Sequence, residues 1–163
     1  MSDQTLRQAV EEAAFCAGLP ADMRSRLAVL ARLRRGAAGT VLFRAGERSD
    51  DFYLVHRGHV ALDMNVPGRG TVRLLTIGEG EILAWSAVVA DQQMTATATA
   101  VDDVELLAFS GSQLRQWCET DPVFGHEWMR LLASALGKRL MSTRLQMLDL
   151  FHADADASRG GVA

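Results

Sequence analysis

The stretch EILAWSAVVADQQMTATATA, at positions 81 to 100, places Trp85 and Ser86 inside a run of small and aliphatic residues. Ser86 lacks the flanking glycines of a nucleophile elbow, and no histidine or acid stands out as its partner, so it is not predicted to be a nucleophile. The overlapping GEGEIL, at 78 to 83, lacks the third glycine of a dinucleotide loop and is interpreted as a turn. The stretch either cradles a ligand or keeps the shape of such a cradle without its chemistry.

Other residue types that could hold a metal or a redox centre lack the required spacing. HEWMR, at 126 to 130, has Arg130 where a zinc-protease motif needs its second histidine. His56 and His59 span a predicted hairpin turn, which favours a surface pair over a metal or haem site. Cys16 and Cys118 are predicted to be small buried hydrophobes in helices, and two thiols cannot complete a four-thiolate iron–sulfur site. The sequence therefore predicts no enzyme and no metal.

Three successive patterns predict the elements that would position the cradle. Residues 1 to 38 show helical spacing of apolar positions, and we expect two N-terminal helices that include the arginine-rich segment ARLRR. From 39 to 110, short runs rich in β-branched residues alternate with glycines, which favours an antiparallel β-barrel of the jelly-roll or double-stranded β-helix type. NVPGRGT, at 65 to 71, is predicted to be a hairpin tip.

Helical spacing returns after residue 110. Residues 111 to 151 predict a short hinge helix followed, after Pro122, by one long helix. Within the long helix one apolar stripe has heptad spacing: Met129, Ala133, Leu136, Leu140, Thr143, Met147 and Leu150. A second stripe lies on another face: Trp128, Leu131, Leu132, Ala135, Leu145 and Leu148. Two stripes predict two partners, the β-barrel and a second copy of the chain, although one wide core-facing stripe in a monomer is the alternative. Residues 152 to 163 are predicted to be a disordered tail.

Composition limits the classes of partner. The 163 residues fit one soluble domain, with 48% hydrophobic and 23% charged residues. A formal net charge of -3 argues against nucleic acid as the main partner, because phosphate binding requires a strong basic surface. No membrane-spanning run or signal peptide is recognised, so a cytoplasmic protein without membrane contact is expected.

One segment carries a family resemblance. GTVLFRAGERSDDFYLVHRGHVAL contains three turn glycines, Gly39, Gly46 and Gly58, with Asp51 and Tyr53 between the second and the third. This spacing, with the order of predicted elements, resembles the cyclic nucleotide-binding domain of the catabolite-activator (Crp/Fnr) type. The resemblance implies an α+β fold with N-terminal helices, a β-barrel and a long dimerisation helix.

The family ligand lies against a cassette that reads Gly-Asp-x-x-Gly-Glu-Leu-Ala-Leu-Leu, four variable residues, then Arg-Thr-Ala. Here Gly80 and Glu81 match the opening pair, and Ala84 stands at the second glycine. Trp85 replaces the glutamate that accepts the ribose hydroxyl, and Met94 replaces the arginine that binds the cyclic phosphate. The resemblance implies a ligand site comprising Gly80, Glu81, Leu83, Ala84, Trp85, Ser86, Ala87, Met94, Thr95, Ala96, Thr143 and Arg144.

Other groups could compensate for the two missing charges. The Ser86 hydroxyl, the amides of Ser86 and Ala87, and Thr95 could meet an anion, and Trp85 could provide a flat wall. Three arginines could replace the cassette arginine: Arg73 on a nearby strand, and Arg139 and Arg144 on the long helix. Thr143 matches the hydroxyl that closes over the base in the family, or is simply a polar heptad position.

These features together predict a regulatory sensor module that signals through its long helix to an unknown protein partner. The implied ligand is cAMP, cGMP or another small molecule, although the replacements at Trp85 and Met94 weaken the case for a cyclic nucleotide. The alternative is a dimerising scaffold that binds no nucleotide. Family transcription factors continue into a winged helix-turn-helix, which this sequence lacks, so direct DNA binding is not expected.

Overall fold

The computed structural model describes the backbone of residues 2–89 and 93–159, and within these ranges the side chains up to Leu145. The chain begins with α1 (Asp3–Glu12), a 3₁₀ helix (Ala14–Gly18) and α2 (Ala21–Leu30). The Ser2 side chain caps α1 by accepting a hydrogen bond from the Thr5 amide at 3.2 Å, and Pro20 precedes the first turn of α2.

Within the described ranges, eight strands follow and form two four-stranded antiparallel sheets. They are β1 (Arg32–Gly36), β2 (Val41–Phe43), β3 (Asp51–Arg57), β4 (Val60–Val66), β5 (Gly70–Ile77), β6 (Ile82–Leu83), β7 (Thr97–Ala100) and β8 (Val104–Ser110). One sheet has the order β1-β8-β3-β6 and the other β2-β7-β4-β5. The jelly-roll fold is confirmed, but the described strands form two facing sheets, and no ladder between them closes a barrel.

The first strand differs from the sequence prediction. Residues 32 to 36, expected to be helical, form β1 and pair with β8. Two arginines here form ion pairs with acids of the same sheet: Arg32 with Asp51 at 2.6 Å, and Arg35 with Glu105 at 2.9 Å. Arg34 donates to the Leu42 carbonyl and to the Tyr53 hydroxyl. Strand pairing outweighs the local helical preference of this segment.

Turns fall where the glycine pattern predicted them. Gly39, Gly46 and Gly58 all have positive φ, between 83° and 84°. At Gly58 a Cβ atom would also lie 2.5 Å from the Asp103 carbonyl oxygen, so this corner requires glycine twice over. The 65 to 71 segment forms the β4–β5 hairpin tip, as predicted.

Two apolar clusters hold these elements together. The inner cluster lies between the sheets and comprises Leu42, Phe43, Tyr53, Val55, Val60, Ile77, Leu83, Ala84, Met94, Ala98, Ala100, Val104, Leu106 and Ala108. The outer cluster joins the helices to the first sheet and includes Cys16, Leu27, Phe52, Leu107, Phe109, Leu114, Phe124, Trp128 and Leu132. The long helix is therefore anchored on the outside of the roll.

Two C-terminal helices complete the fold: α4 (Gly111–Thr120), the predicted hinge helix, and α5 (Pro122–Arg159). The sequence prediction ended the long helix at 151 and expected a disordered tail, whereas α5 continues to Arg159. The HADADASR segment contains alternating alanines and no glycine or proline, so nothing in it breaks a helix. Residues 160–163 of the expected tail lie outside the described residues.

The described part of α5 presents two different apolar faces. Trp128 and Leu132 are fully buried in the outer cluster, and Leu136 packs against it. The exposed side carries four large apolar side chains that are 37–56% exposed: Met129, Leu140, Met141 and Leu145. Leu145 was predicted on the same stripe as Trp128 and Leu132 but lies on the exposed side. Conversely, Leu136 was predicted on the heptad stripe but packs against the outer cluster. The side chains of Met147, Leu148 and Leu150 lie outside the described residues.

Candidate ligand site

The turn that opens the cassette is fixed by hydrogen bonds within itself and to β3. Gly80 has φ +80° and donates its amide to the Val55 carbonyl at 2.8 Å. The Glu81 carboxylate accepts from the Gly78 amide at 2.8 Å. These bonds place Glu81 at the start of β6 with its carboxylate held by the turn.

Ala84 lies in the left-handed region of backbone space, with φ +56°. It is the one described non-glycine residue with positive φ, and it stands where the family pattern has its second glycine. A side chain in this region costs about 1–2 kcal/mol. The backbone therefore retains the cassette bend although the sequence has lost the residue that favours it.

The interior of the cassette is filled with apolar side chains. Ala84 and Met94 belong to the inner cluster, where Met94 is 3% exposed. The Met94 backbone bonds to the β2–β3 loop in both directions, donating to the Glu47 carbonyl and accepting from the Gly46 amide, each at 2.8 Å. Met94 therefore packs in the core, at the position where the resemblance puts a phosphate-binding arginine.

In the cassette helix, one predicted anion donor is already bonded and the residue that carries the others is buried. This helix, α3 (Ser86–Val89), is one short turn, and the Ala87 amide donates to the Ala84 carbonyl at 3.0 Å. Ser86 is buried, with 2% exposure. Trp85 packs against the outer cluster, whereas Ala84 and Met94 lie in the inner one, so its ring is no wall of the cassette interior. Thr95 is exposed and Ala96 is buried.

A cavity of about 540 Å³ lies between the cassette opening and α5. It is lined by Ala14, Phe15, Leu75, Thr76, Gly80, Glu81, Ile82, Leu131, Ser134, Ala135, Lys138, Arg139, Ser142 and Thr143. Phe15 packs edge-on against Trp128 with ring centroids 5.4 Å apart, which makes one wall of the cavity rigid and apolar. Its size falls in the range of small-molecule sites, about 300–1,000 Å³.

Arg139 is the most unusual side chain in this cavity. Its Nη2 donates to the Ile82 carbonyl at 2.5 Å, which ties α5 to β6. Its Nε is buried and has no hydrogen-bond partner among the described residues. Burial lowers the pKa of the Arg139 guanidinium, and the nearby Glu81 carboxylate opposes that shift. Among the described side chains, however, no ion pair within 4.0 Å joins Glu81 to Arg139.

Two of the α5 hydroxyl groups that line the cavity already donate their protons within the helix. Thr143 Oγ1 donates to the Arg139 carbonyl at 2.9 Å, and Ser142 Oγ donates to the Lys138 carbonyl at 3.2 Å. A hydroxyl oxygen with a committed proton still accepts hydrogen bonds. This part of the cavity therefore offers acceptors to N–H or O–H groups.

Comparison with known proteins identifies the family. A profile of the family described as "Cyclic nucleotide-binding domain" matches residues 33–121, more than half of the 163-residue chain. The chain belongs to the cyclic nucleotide-binding domain family. The match begins in β1 and ends just after α4, so it includes the cassette.

Individual relatives agree with this assignment. A cyclic AMP receptor protein from Thermus thermophilus is 29% identical over 125 residues, which cover 77% of this chain and 56% of that protein. A cyclic nucleotide-binding domain from Methylobacillus flagellatus KT superposes with a TM-score of 0.76 at 17% identity, covering 90% of this chain and 83% of the other. At that identity the superposition shows a shared fold.

A lysophospholipase from Aspergillus fumigatus is 28% identical over 99 residues, which cover 61% of this chain but 6% of that enzyme. The chain thus spans a small part of the lysophospholipase and about half of the cyclic AMP receptor protein. The lysophospholipase match concerns one domain and carries no lipase activity over to this chain.

In this cyclic nucleotide-binding domain, the cavity brings together three of the residues predicted for the ligand site: Gly80, Glu81 and Thr143. The others do not line it: Leu83, Ala84, Trp85, Ser86, Ala87, Met94, Thr95, Ala96 and Arg144. Arg73 is also away from it, in an exposed ion pair with Asp63 at 3.0 Å. Of the three arginines considered as replacements, Arg139 lies in the cavity.

Sequence reasoning missed several lining residues, including Thr76, Ser134, Lys138 and Ser142. A signal was present on the long helix, because Leu131, Ser134, Lys138 and Ser142 recur every three or four residues and share one face. Three of these four residues are polar, so a search for apolar stripes passes over them.

The cassette helix is also bonded to the hinge helix. Arg115 of α4 donates to the Ala87 carbonyl and, at 3.2 Å, to the Asp50 carboxylate. Burial raises the pKa of Asp50, but hydrogen bonds from Ser110, Ser112 and Arg115 outweigh burial and hold that pKa below 3.8. A Cβ atom at Gly111 would lie 2.4 Å from the Ala87 carbonyl oxygen, so α3 and the start of α4 are in direct backbone contact. The cassette helix and the hinge helix are therefore joined by a side-chain hydrogen bond and by close backbone packing.

The described residues show neither a metal-binding cluster of three or more His, Cys, Asp or Glu side chains nor a helix long and apolar enough to cross a membrane.

Proposed function

We propose that the protein is a small-molecule sensor whose ligand binds in the cavity between the cassette opening and α5. The observation that carries this proposal is the shared lining, because Gly80, Glu81 and Ile82 of the cassette face Lys138, Arg139 and Thr143 of the long helix across one cavity. A ligand in this position contacts both the roll and α5. Cyclic nucleotides are the first ligands to test, since the chain belongs to their binding-domain family.

Signalling in this proposal runs through the position of α5. The Arg139 bond to the Ile82 carbonyl holds the helix to β6, and the Arg115 bond to the Ala87 carbonyl holds α4 to the cassette. A ligand shifts a helix only if it binds one arrangement more tightly than the other. Ligand groups that replace the Ile82 carbonyl as the Arg139 partner would supply that difference.

We further propose that α5 pairs with the same helix of a second copy. Met129, Leu140, Met141 and Leu145 leave an apolar surface on the side opposite the outer cluster. A Cβ atom at Gly137, between them, would meet nothing within 4 Å, so a second helix can approach closely there. Three members of the predicted heptad stripe, Met129, Ala133 and Leu140, are exposed. Two others lie elsewhere, because Leu136 packs against the outer cluster and Thr143 lines the cavity.

Calorimetric titration with cAMP and with cGMP tests the sensor proposal, together with the thermal midpoint in each ligand. A ligand that binds only the folded state raises apparent stability by RT ln(1 + [L]/Kd). We expect heat and a raised midpoint with at least one nucleotide. If millimolar nucleotide produces neither heat nor a raised midpoint, the proposal of a cyclic nucleotide sensor has no support.

A scaffold without a nucleotide ligand is the second candidate. The apolar filling of the cassette by Met94 and Ala84 favours it, because Met94, a core side chain, stands at the position of the phosphate-binding arginine in the family pattern. In that case α5 would still pair, and the cavity would not respond to nucleotides. Titration and light scattering on the same sample separate the two candidates.

A further inference from the structure

We propose that the cavity binds an organic anion whose charged group is bound by Arg139 of α5 instead of by the cassette. This inference rests on the proposed function, because it concerns the same cavity and names its ligand class. It moves the recognition of negative charge from the roll to the helix that would carry the signal. The geometry that supports it is the incomplete bonding of one buried guanidinium.

Arg139 has more donors than partners. A guanidinium carries five N–H donors and stays protonated in proteins. The structure gives this one a bond from Nη2 to the Ile82 carbonyl, and its buried Nε has no partner among the described residues. An unsatisfied buried donor is costly, and a carboxylate or phosphate satisfies Nε and an Nη group at once in a bidentate pair. The unmet donor indicates a planar or tetrahedral oxyanion.

The charges around Arg139 favour an anion as well. Lys138 and Arg139 line the cavity with two positive charges, and Glu81 contributes one negative charge. Glu81 is held by the Gly78 amide and makes no ion pair with Arg139 within 4.0 Å among the described side chains. The cavity therefore has a net positive charge, and among the described side chains neither Lys138 nor Arg139 makes an ion pair within 4.0 Å.

The other polar groups specify the rest of the ligand. The Glu81 carboxylate offers oxygens that accept hydrogen bonds. The Ser142 and Thr143 hydroxyl groups also act as acceptors, because each already donates its proton to a carbonyl of α5. An anion that binds here should therefore carry N–H or O–H donors away from its charged group. A phosphorylated nucleoside has this arrangement and fits a cavity of about 540 Å³.

The test compares four probes by calorimetry at low ionic strength: AMP, cAMP, inorganic phosphate and the uncharged nucleoside adenosine. We expect the wild-type protein to bind AMP or cAMP at least about tenfold more tightly than adenosine, a difference of about 1.4 kcal/mol. Arg139→Met should lose at least that factor for the anion and leave weak adenosine binding unchanged. Arg139→Lys keeps the positive charge but loses the planar guanidinium, so its affinity for the anion should lie between those of the wild type and Arg139→Met.

Arg144→Met is the matched control, because Arg144 is exposed on the same helix and does not line the cavity. Its affinity for each probe should equal that of the wild type. Circular dichroism and thermal midpoints verify folding, and Arg139→Lys decides the question if Arg139→Met does not fold.

The inference is overturned if no anion binds the wild type, if adenosine binds as tightly as AMP and cAMP, or if a folded Arg139 variant keeps the wild-type anion affinity. Tight adenosine binding, or unchanged anion affinity in a folded Arg139 variant, would still be compatible with a ligand-binding sensor. Spin labels on paired α5 helices test the signalling part of the proposed function separately. If anion binding depends on Arg139 but leaves the distance between the labels unchanged, this inference is supported and the signalling part is contradicted.

Discussion

Restoring the family charge at position 94 should destabilise this protein. Met94 is 3% exposed inside the inner cluster. Met94→Arg removes apolar burial worth about 1.5–3 kcal/mol and places a charge where the described structure offers apolar neighbours. Leaving a charge buried without a partner costs about 3–5 kcal/mol. Because the arginine can relieve part of this by moving outward, we expect a loss of at least about 3 kcal/mol in the free energy of unfolding.

Urea denaturation measures this loss, with two variants as controls. Met94→Leu conserves volume and should cost less than about 1.5 kcal/mol. Thr95→Arg places the same charge on the neighbouring exposed residue and should stay within about 0.5 kcal/mol of the wild type. If Met94→Arg costs no more than Met94→Leu, the position can host a charged side chain. That result would refute the conclusion that the cassette interior is core.

Three further perturbations test other parts of the structure. Leu140→Asp puts a charge on the exposed apolar side of α5 and should halve the mass found by light scattering, whereas an unchanged mass would remove Leu140 from the interface. Burial raises the pKa of the Cys16 thiol to about 12, so iodoacetamide should modify the half-buried Cys118 first in the native protein. Mass spectrometry after a timed quench measures the order of labelling, and finding Cys16 labelled first would contradict this expectation. The hydrogen bond to Asp102 raises the pKa of His59 above 6.5. The interaction of protonated His59 with Asp102 therefore stabilises the protein fully below pH 6.5, and this stabilisation is lost as the pH rises through the pKa of His59 in the folded protein. His59→Gln should therefore lower the thermal midpoint more in acid than in alkaline buffer, and an equal loss at both would contradict the ion pair.

Much of the fold could be predicted from local pattern. Period-two runs and turn glycines located the strands after residue 39, and the positive φ at Gly39, Gly46 and Gly58 agrees with that pattern. The strand at 32–36 could not be predicted this way. Its ARLRR sequence favours a helix, and its strand state depends on pairing with β8, which lies about seventy residues later in the chain.

The ligand site could be predicted less well, for a related reason. The cassette alignment located Ala84, whose φ of +56° keeps the bend of a glycine. The alignment could not tell that Trp85 packs on the outer cluster while Met94 packs on the inner one. Which side of the sheet a side chain occupies depends on the backbone path through α3. The lining contributed by Lys138 and Arg139 depends in turn on how α5 docks against the roll.

The central claim is that a ligand binds between the cassette opening and α5 and leaves the cassette interior undisturbed. Methyl NMR of the labelled protein during titration with cAMP and with AMP tests it most directly. The account predicts that the Leu131 and Thr143 methyl resonances shift progressively with at least one nucleotide, while those of Leu42 and Met94 stay in place. Shifts confined to Leu42 and Met94, or no shift with either nucleotide, would contradict it.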